Sequence, residues 1–169
     1  TGYGQDGPMA SVAGHDINYI ALSGVLSMIG ERDRKPVAPL NLVGDFGGGG
    51  MFLAFGVVCG ILEARASGKG QVIDCAMVEG AAMLANIFNS FRALGQLEPQ
   101  RGANVLDGGA HFYDTYETRD GGYVAVGAIE PQFYKRLLEL MGLPQAEFEP
   151  QMDKTRWQAW KVRFTDVFK

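Results

Sequence analysis

The sequence has few of the residues that indicate metal, redox or nucleic-acid chemistry. Its 169 residues include two cysteines and two histidines, and no Cys-x-x-Cys, His-x-x-x-His or His-Glu-x-x-His spacing occurs, so a metal site is not indicated. Lys and Arg number 15 against 19 Asp and Glu, and the basic residues form no stripe. A chain of net charge -4 without a basic stripe is a poor candidate for binding nucleic acid.

Long uninterrupted apolar runs are also missing. The run Met51–Leu62 is apolar or glycine throughout, but it is followed by Glu63 and Arg65 and is shorter than the roughly 20 residues that span a bilayer. No cationic segment leads into an apolar signal sequence. We therefore expect a soluble, cytoplasmic protein without a membrane partner, in which Cys59 and Cys75 are buried free thiols.

What the sequence does have is the composition of a globular domain, with 47% apolar and 20% charged residues. The chain opens at Thr1 on a glycine-rich segment typical of a loop, and its last residues lie inside an amphipathic pattern that reaches Phe168. We therefore expect it to be the middle segment of a longer polypeptide.

Two segments with helical periodicity each begin beside an acid/base side chain. Asp16 is placed to cap a helix that runs to Gly30, which puts His15 at or just before a helix N-terminus. Asp45 precedes a long apolar segment that ends at Ser67 before a glycine. Each of these two side chains is therefore expected at a helix start, although a lone histidine or aspartate there is often only structural.

The next stretch of the chain predicts a strand, a helix and a loop. Residues 71–75 are expected to form a short strand, and residues 77–94 a single helix. The polar, glycine-rich connection over 96–109 is expected to be mobile or to cover a site.

A β-hairpin is the clearest strand signal. Residues 112–118 and 123–126 bracket the glycine-rich turn at 119–122, which is typical of a hairpin. Pro131 is placed to open a helix that ends before Gly142. The order of elements predicts an α/β or α+β fold, with helices and a late β-hairpin.

Four consecutive glycines, residues 47–50, follow Asp45. No Gly-Lys-Ser/Thr ends this run, so close helix packing is favoured over a phosphate cradle. Because each glycine costs roughly 1 kcal/mol relative to alanine in a helix interior, at least two of them are expected to permit a close contact with a ligand or a helix.

Five blocks of the sequence, in collinear order, are similar to the family III CoA-transferases, and specifically to the racemase branch of that family. The blocks are Thr1-Gly-Tyr-Gly-Gln-Asp-Gly-Pro8, Ala13-Gly-His-Asp-Ile-Asn-Tyr19, Asn41-Leu-Val-Gly-Asp-Phe-Gly-Gly-Gly49, Gly68-Lys-Gly-Gln-Val-Ile-Asp-Cys-Ala-Met-Val-Glu-Gly80 and Gly127-Ala-Ile-Glu-Pro-Gln-Phe-Tyr134. The similarity extends through essentially the whole chain.

The resemblance implies a fold and an assembly. Subunits of the family have a Rossmann-like large domain and a smaller domain, and two chains interlock in a homodimer. In this chain, residues 1–95 would belong to the large domain, 96–110 to a linker and 111–169 to the start of the small domain. The N-terminal part that binds most of CoA would be absent.

The resemblance also implies a reaction. Racemases of this branch invert the α-carbon of a 2-methylacyl-CoA thioester through an enolate, with His15 and Asp45 as the opposed acid/base groups and Glu130 orienting the imidazole. This agrees with the chemistry, since inversion by proton exchange needs one group on each face of the carbon. The free N–H groups at the helix start, including that of Asp16, would face the enolate oxygen. No metal or cofactor is implied, because CoA is part of the acyl-CoA substrate.

Three further residues lie inside the matched motifs. Asp16, Tyr19 and Asn41 are predicted to contact the thioester end and the pantetheine arm. Structural roles remain open for each, because Asp16 also suits a cap, Tyr19 suits packing and Asn41 suits a loop. Glu130, which precedes Pro131, also suits a helix start.

Two other functions remain open. In a CoA-transferase of the same family, Asp45 would attack an acyl-CoA to form an anhydride, although a transferase has no need of His15 as an opposed base. The other alternative is a catalytically inactive fragment that serves only as a dimerising domain.

Overall fold

The computed structural model describes residues 1–169 and divides them into two compact units. The first unit contains residues 1–29 and 35–99, and the second contains residues 30–34 and 100–169. Helices and one two-stranded antiparallel sheet make up the chain, which confirms the α+β prediction. The assignment of residues 1–95 and 111–169 to a large and a small domain stays a prediction.

The first helix is shorter than the sequence pattern predicts. Helix α1 covers Asp16–Leu22, and a 3₁₀ turn follows over Val25–Met28, whereas one helix was expected as far as Gly30. The break comes at Gly24, whose φ of 86° is left-handed and does not continue a right-handed helix. His15, and not Asp16, is the N-cap residue.

The second helical element begins in an unusual way. Leu42–Met51 is a π-helical segment, and it continues directly into α2, which covers Phe52–Ser67 and ends at the left-handed Gly68. The backbone N–H of Phe46 donates to the carbonyl oxygen five residues earlier, at 3.3 Å. Such wide helical turns are rare in proteins, and many of those that occur lie at functional sites.

This long helix has apolar side chains or glycine on all sides over residues 46–62. It runs from Leu42 to Ser67, and its 26 residues are long and apolar enough to cross a membrane by length and composition alone. Only 6% of its apolar stretch is buried inside the protein. It is therefore longer than the run Met51–Leu62 on which the expectation of no membrane partner was based. One such helix is weak evidence for a membrane span, because core helices pass the same test.

The region after α2 differs from its predicted structure. Residues 71–75 do not form a strand, and only the last of them meets the N-terminus, where the Thr1 amino group donates to the Cys75 carbonyl oxygen at 3.0 Å. The helix expected over 77–94 is divided at Ala85 into α3, Met77–Leu84, and α4, Asn86–Ala93.

Backbone contact between two helices holds the first unit together. The π-helical segment and α3 cross at Gly48 and Gly80, where no side chain separates the backbones. A Cβ atom on Gly80 would overlap the carbonyl oxygen of Gly48, and one on Gly48 would lie 2.5 Å from the Ala81 nitrogen. The glycine run of residues 47–50 therefore serves close helix packing, which is the role that the sequence predicts for it. The same unit contains a small apolar core of Ile20, Val25, Ala81 and Ala85.

The second unit is built on the predicted hairpin. Strand β1, Tyr113–Glu117, pairs antiparallel with β2, Tyr123–Gly127, with Thr115 opposite Ala125. Helix α5, Pro131–Met141, has proline in its first turn and ends at a left-handed Gly142, as expected. A 3₁₀ turn, Gln145–Phe148, and α6, Trp157–Phe168, complete the unit.

The connection expected to be mobile or to cover a site has a fixed local structure. The Asp107 carboxylate accepts backbone hydrogen bonds from Gly102 at 2.9 Å, Asn104 at 2.8 Å and Gly109 at 3.2 Å. Within the same unit, Lys161 donates to the Asp114 carboxylate at 2.6 Å. The half-buried carboxylate of Asp107 thus orders the loop that leads into β1 through both of its oxygens.

An aromatic core surrounds one histidine in the second unit. His111 is fully buried, and its Nε2 lies 2.6 Å from the Tyr134 hydroxyl while its Nδ1 has no partner. Its ring also contacts Trp160 and Phe164 edge-on, with centroids 4.8 and 5.1 Å away. Burial, and then the charge of Lys161, lower the pKa of His111 to about 3.

The cysteines depart partly from expectation. Both are free thiols, as expected, but Cys59 is exposed on α2 and Cys75 is half-buried. The exposure of Cys59 follows from the apolar face that α2 leaves open, which periodicity alone cannot reveal.

The Gly48–Gly80 crossing predicts a sharp effect of one methyl group. Gly80→Ala should lower the free energy of unfolding of the chain by roughly 1–3 kcal/mol or more, because the new Cβ overpacks two backbones. Gly70→Ala is the matched control, since nothing lies within 4 Å of a Cβ there, and it should change stability by less than about 0.5 kcal/mol. Denaturant unfolding followed by circular dichroism measures both, and equal stabilities would contradict the crossing.

Burial of His111 predicts acid sensitivity of the second unit. Its folded pKa of about 3 lies below the ordinary 6.5, so the unfolded chain binds a proton that the folded chain excludes between those values. Stability should fall as the pH drops through that window, by at most about 1.4 kcal/mol per pH unit for this proton. Fluorescence of Trp157 and Trp160 follows unfolding, and His111→Gln should lose this part of the slope. Identical slopes in both proteins would contradict the assignment.

Candidate functional site

His15 is held at the start of α1 by the helix itself. Its backbone is extended, with φ of -132° and ψ of 171°, and its carbonyl oxygen accepts hydrogen bonds from Asn18 N at 2.8 Å and Tyr19 N at 3.3 Å. Its own N–H donates to the Asn18 side-chain oxygen at 3.0 Å. The backbone of His15 is therefore fixed through both its N–H and its carbonyl group, while the residue as a whole is exposed.

Asp45 lies in the first turn of the π-helical segment and is half-buried. Asn41 is the residue before that segment, and its side-chain nitrogen donates to the Asp45 carboxylate oxygen Oδ2 at 3.4 Å. Asn41 thus lies beside Asp45, the predicted base. The predicted contact of Asn41 with the thioester end or the pantetheine arm of the substrate stays a prediction.

Asp16 joins the two helix starts. Its Oδ2 accepts hydrogen bonds from the backbone N–H of Gly44 at 2.5 Å and of Asp45 at 2.8 Å, and its side chain is buried. The second oxygen, Oδ1, is also buried and has no partner. The carboxylate of Asp16 therefore caps the helix of Asp45 and not its own helix, and the predicted contact of Asp16 with substrate stays a prediction.

Tyr19 packs below the N-terminal loop. Only 4% of it is exposed, and its ring meets Tyr3 edge-on at 4.9 Å. Burial raises the pKa of Tyr19, and the nearby Tyr3 and Asp45 groups raise it further. Gly2 makes room for it, because a Cβ there would lie 2.6 Å from the phenol. Tyr19 thus has the packing role that the sequence left open, and it lies near Asp45. Its predicted contact with substrate stays a prediction.

Glu130 belongs to the second unit. It is the N-cap residue of α5, its side chain is exposed, and its carbonyl oxygen accepts from Phe133 N and Tyr134 N, both at 3.0 Å. The structure thus brings His15, Asp16, Tyr19, Asn41 and Asp45 into one unit. The predicted contact between Glu130 and the imidazole stays a prediction.

Two residues of this site were missed by the sequence reasoning. Asn18 fixes the His15 backbone, and the His-x-x-Asn spacing of a capping box was the available signal. Gly44 admits the Asp16 carboxylate, because a Cβ at that position would lie 2.8 Å from Oδ2. No local pattern marks Gly44, since its neighbour comes from a distant part of the chain.

The site offers proton transfer and no assembled metal centre. No group of three His, Cys, Asp or Glu side chains that could hold a metal ion occurs in the chain. It presents instead an imidazole and a carboxylate on two helix starts that share one buried link. Two such groups can act as a general acid and a general base in the same reaction.

With this fold and this pair of helix starts, the chain belongs to the CoA-transferase family III, whose model matches residues 1–168. It is 52% identical over 168 residues to the alpha-methylacyl-CoA racemase of Mus musculus and 51% identical to that of Homo sapiens, covering 99% of this chain and 44% of each relative. It is also 32% identical over 146 residues to the succinyl-CoA:glutarate CoA-transferase of Mus musculus, covering 86% of this chain and 33% of that one.

Solved structures show the same fold. A CaiB/BaiF family protein of Brucella suis matches with a TM-score of 0.70 at 25% identity, and the Rv3272 protein of Mycobacterium tuberculosis with a TM-score of 0.72 at 22% identity. Each match covers 99% of this chain and 44% of the other. The chain thus spans less than half the length of the racemases and structures it matches.

The capping contact of Asn18 predicts a local effect on His15. Asn18→Ala removes the acceptor of the His15 N–H, so this amide should exchange with solvent faster, with a loss of stability of about 0.5–2 kcal/mol. Asn89→Ala, at an exposed position of α4, should leave that amide unchanged. Hydrogen exchange followed by NMR measures both variants. An unchanged His15 amide in Asn18→Ala would show that the helix start does not depend on Asn18.

Proposed function

We propose that this chain carries the proton-transfer site of a 2-methylacyl-CoA racemase, in which His15 and Asp45 exchange the α-proton of the thioester from opposite faces. The observation that carries the proposal is the link between their helix starts, where Asp16, next to His15, accepts the N–H of Asp45 at 2.8 Å. The high identity to two racemases supports the same reaction.

The reaction removes one proton from the α-carbon of the thioester and adds one proton back to the same carbon. The basic form of one group removes the α-proton, and the electron pair moves onto the thioester carbonyl to form an enolate. The acidic form of the other group then protonates the opposite face, which inverts the α-carbon without oxidation or group transfer. The N–H groups of Asp16 and Ile17, in the first turn of α1, find no acceptor in the chain and would be available to the enolate oxygen.

The remaining parts of the site are proposed to come from outside the first unit. Glu130 would hydrogen-bond to the imidazole and orient it, so that one ring nitrogen faces the substrate. An acyl-CoA thioester is the proposed substrate, and the complete enzyme is proposed to be a cytoplasmic homodimer with interlocked subunits. The reaction as proposed uses no metal or cofactor.

The exposed face of the long helix is proposed to be covered in the complete subunit. The most exposed side chains lie at helical spacing on α2 and just before it, at Met51, Phe55, Val58 and Leu62, and each is 55–70% exposed. A helix apolar on all sides is typical of a protein core or a membrane. The racemases that match are more than twice as long as this chain, which supports cover by the rest of the polypeptide.

A CoA-transferase is the second candidate, because the chain also resembles a succinyl-CoA:glutarate CoA-transferase. Asp45 would then attack the thioester carbonyl carbon as a nucleophile, so that an acyl anhydride forms, the C–S bond breaks and CoA leaves as the thiolate. Hydroxylamine, with an acyl acceptor present, would attack the activated side-chain carbonyl of Asp45 and leave a hydroxamate on Asp45, while the acyl group departs as a carboxylate. A racemase would give no adduct.

A segment exchange tests the proposed function. The matched segment of the mouse racemase is replaced by this chain, and deuterium incorporation at the α-carbon of each 2-methylacyl-CoA enantiomer is measured in heavy water. The chimaera should racemise both enantiomers, and His15→Ala and Asp45→Asn should each lower racemisation by at least about 100-fold, as loss of a general acid or base does. The 169-residue chain alone should be nearly inactive.

Controls and contrary outcomes follow from the structure. Asp74→Ala, at an exposed position of the same unit, should retain the activity of the chimaera. A folded, dimeric chimaera without exchange would contradict the racemase proposal. An adduct on Asp45 after hydroxylamine treatment would favour the transferase, and a folded chimaera with neither activity would favour the inactive fragment.

A further inference from the structure

The contacts of Asp16 are unusual for a residue beside a proposed base. Two backbone N–H groups in the first turn of the Asp45 helix, those of Gly44 and of Asp45 itself, donate to the same oxygen of Asp16, Oδ2. Asp16 is only 4% exposed, so its carboxylate accepts these bonds in a site with little contact with water. A hydrogen bond to a charged acceptor in such a site is stronger than a neutral one.

The link bridges two distant parts of the chain. Asp16 is the first residue of α1, directly after His15, whereas Gly44 and Asp45 lie in the π-helical segment. The positive end of the long second helix faces the carboxylate, which compensates its charge. The chain places glycine at residue 44, where a Cβ would lie 2.8 Å from Oδ2 and 3.0 Å from Cγ of Asp16.

From these contacts we infer that Asp16 is a positioning residue, whose carboxylate holds Asp45 at its place opposite His15. This inference rests on the proposed racemase function and assigns the Asp16 side chain a task apart from substrate contact. The start of α1 does not need the carboxylate, because His15 is fixed by Asn18 and Tyr19. Loss of the carboxylate should therefore loosen the Asp45 side of the site and leave the His15 side in place.

The two sides can be told apart by the stereochemistry of exchange. An enzyme that keeps His15 but lacks a well-placed Asp45 still removes and returns the α-proton on the face of His15, so one enantiomer exchanges with retention while racemisation is lost. Asp45→Asn defines which enantiomer this is. Asp16→Ala should show the same pattern, with racemisation reduced about 100-fold, the size expected for a misplacement near 1 Å.

The chimaera with the mouse racemase serves for this experiment. Asp16→Asn retains an oxygen acceptor and should recover most of the activity lost in Asp16→Ala. Gly44→Ala, which pushes the carboxylate away, should reproduce the loss. Equal loss of exchange for both enantiomers in Asp16→Ala, or no loss, would overturn the inference while leaving the racemase proposal standing.

A second readout needs no activity. In the 169-residue chain, the Gly44 and Asp45 amides should exchange with solvent at least about tenfold faster in Asp16→Ala, with the His15 amide unchanged. Asp74→Ala is the matched control and should change none of them. Unchanged Gly44 and Asp45 amides in a folded Asp16→Ala chain would overturn the inference even if the racemase proposal failed on its own test.

Discussion

One buried carboxylate sets the geometry of the first unit. The Asp16 side chain accepts the N–H groups of Gly44 and Asp45, so the starts of two helices that are distant in sequence are fixed against each other. The π-helical segment is then held by backbone contact with α3, where Gly48 meets Gly80. Gly44 and Gly48 are thus explained by two close approaches, one to a carboxylate and one to a backbone.

Sequence patterns formed by residues that are close along the chain predict part of this structure. The hairpin followed from two β-rich runs around a glycine-rich turn, and α5 followed from Pro131 and Gly142. The placement of His15 and Asp45 at helix starts followed from caps and periodicity. These features depend on neighbours within a few residues, which a single sequence displays.

Features that depend on distant contacts were not predictable. The segment 71–75 has a strand-like composition, but no strand pairs with it, and its last residue, Cys75, instead accepts a hydrogen bond from the Thr1 amino group. The π-helical start at Leu42–Met51 and the break at Ala85 leave no mark in the apolar periodicity. The direction of the Asp16 side chain, away from its own helix, was likewise hidden, because its partners lie on another segment.

The arrangement accounts for how the helix start that carries His15 and the helix start that carries Asp45 are held together, since the Asp16 side chain joins the two. The most direct measurement is scalar coupling across the hydrogen bonds, by NMR, from Asp16 Cγ to the amide nitrogens of Gly44 and Asp45. The account predicts a detectable coupling to both nitrogens. Resolved amide signals with no coupling to Asp16 would contradict the link on which the site depends.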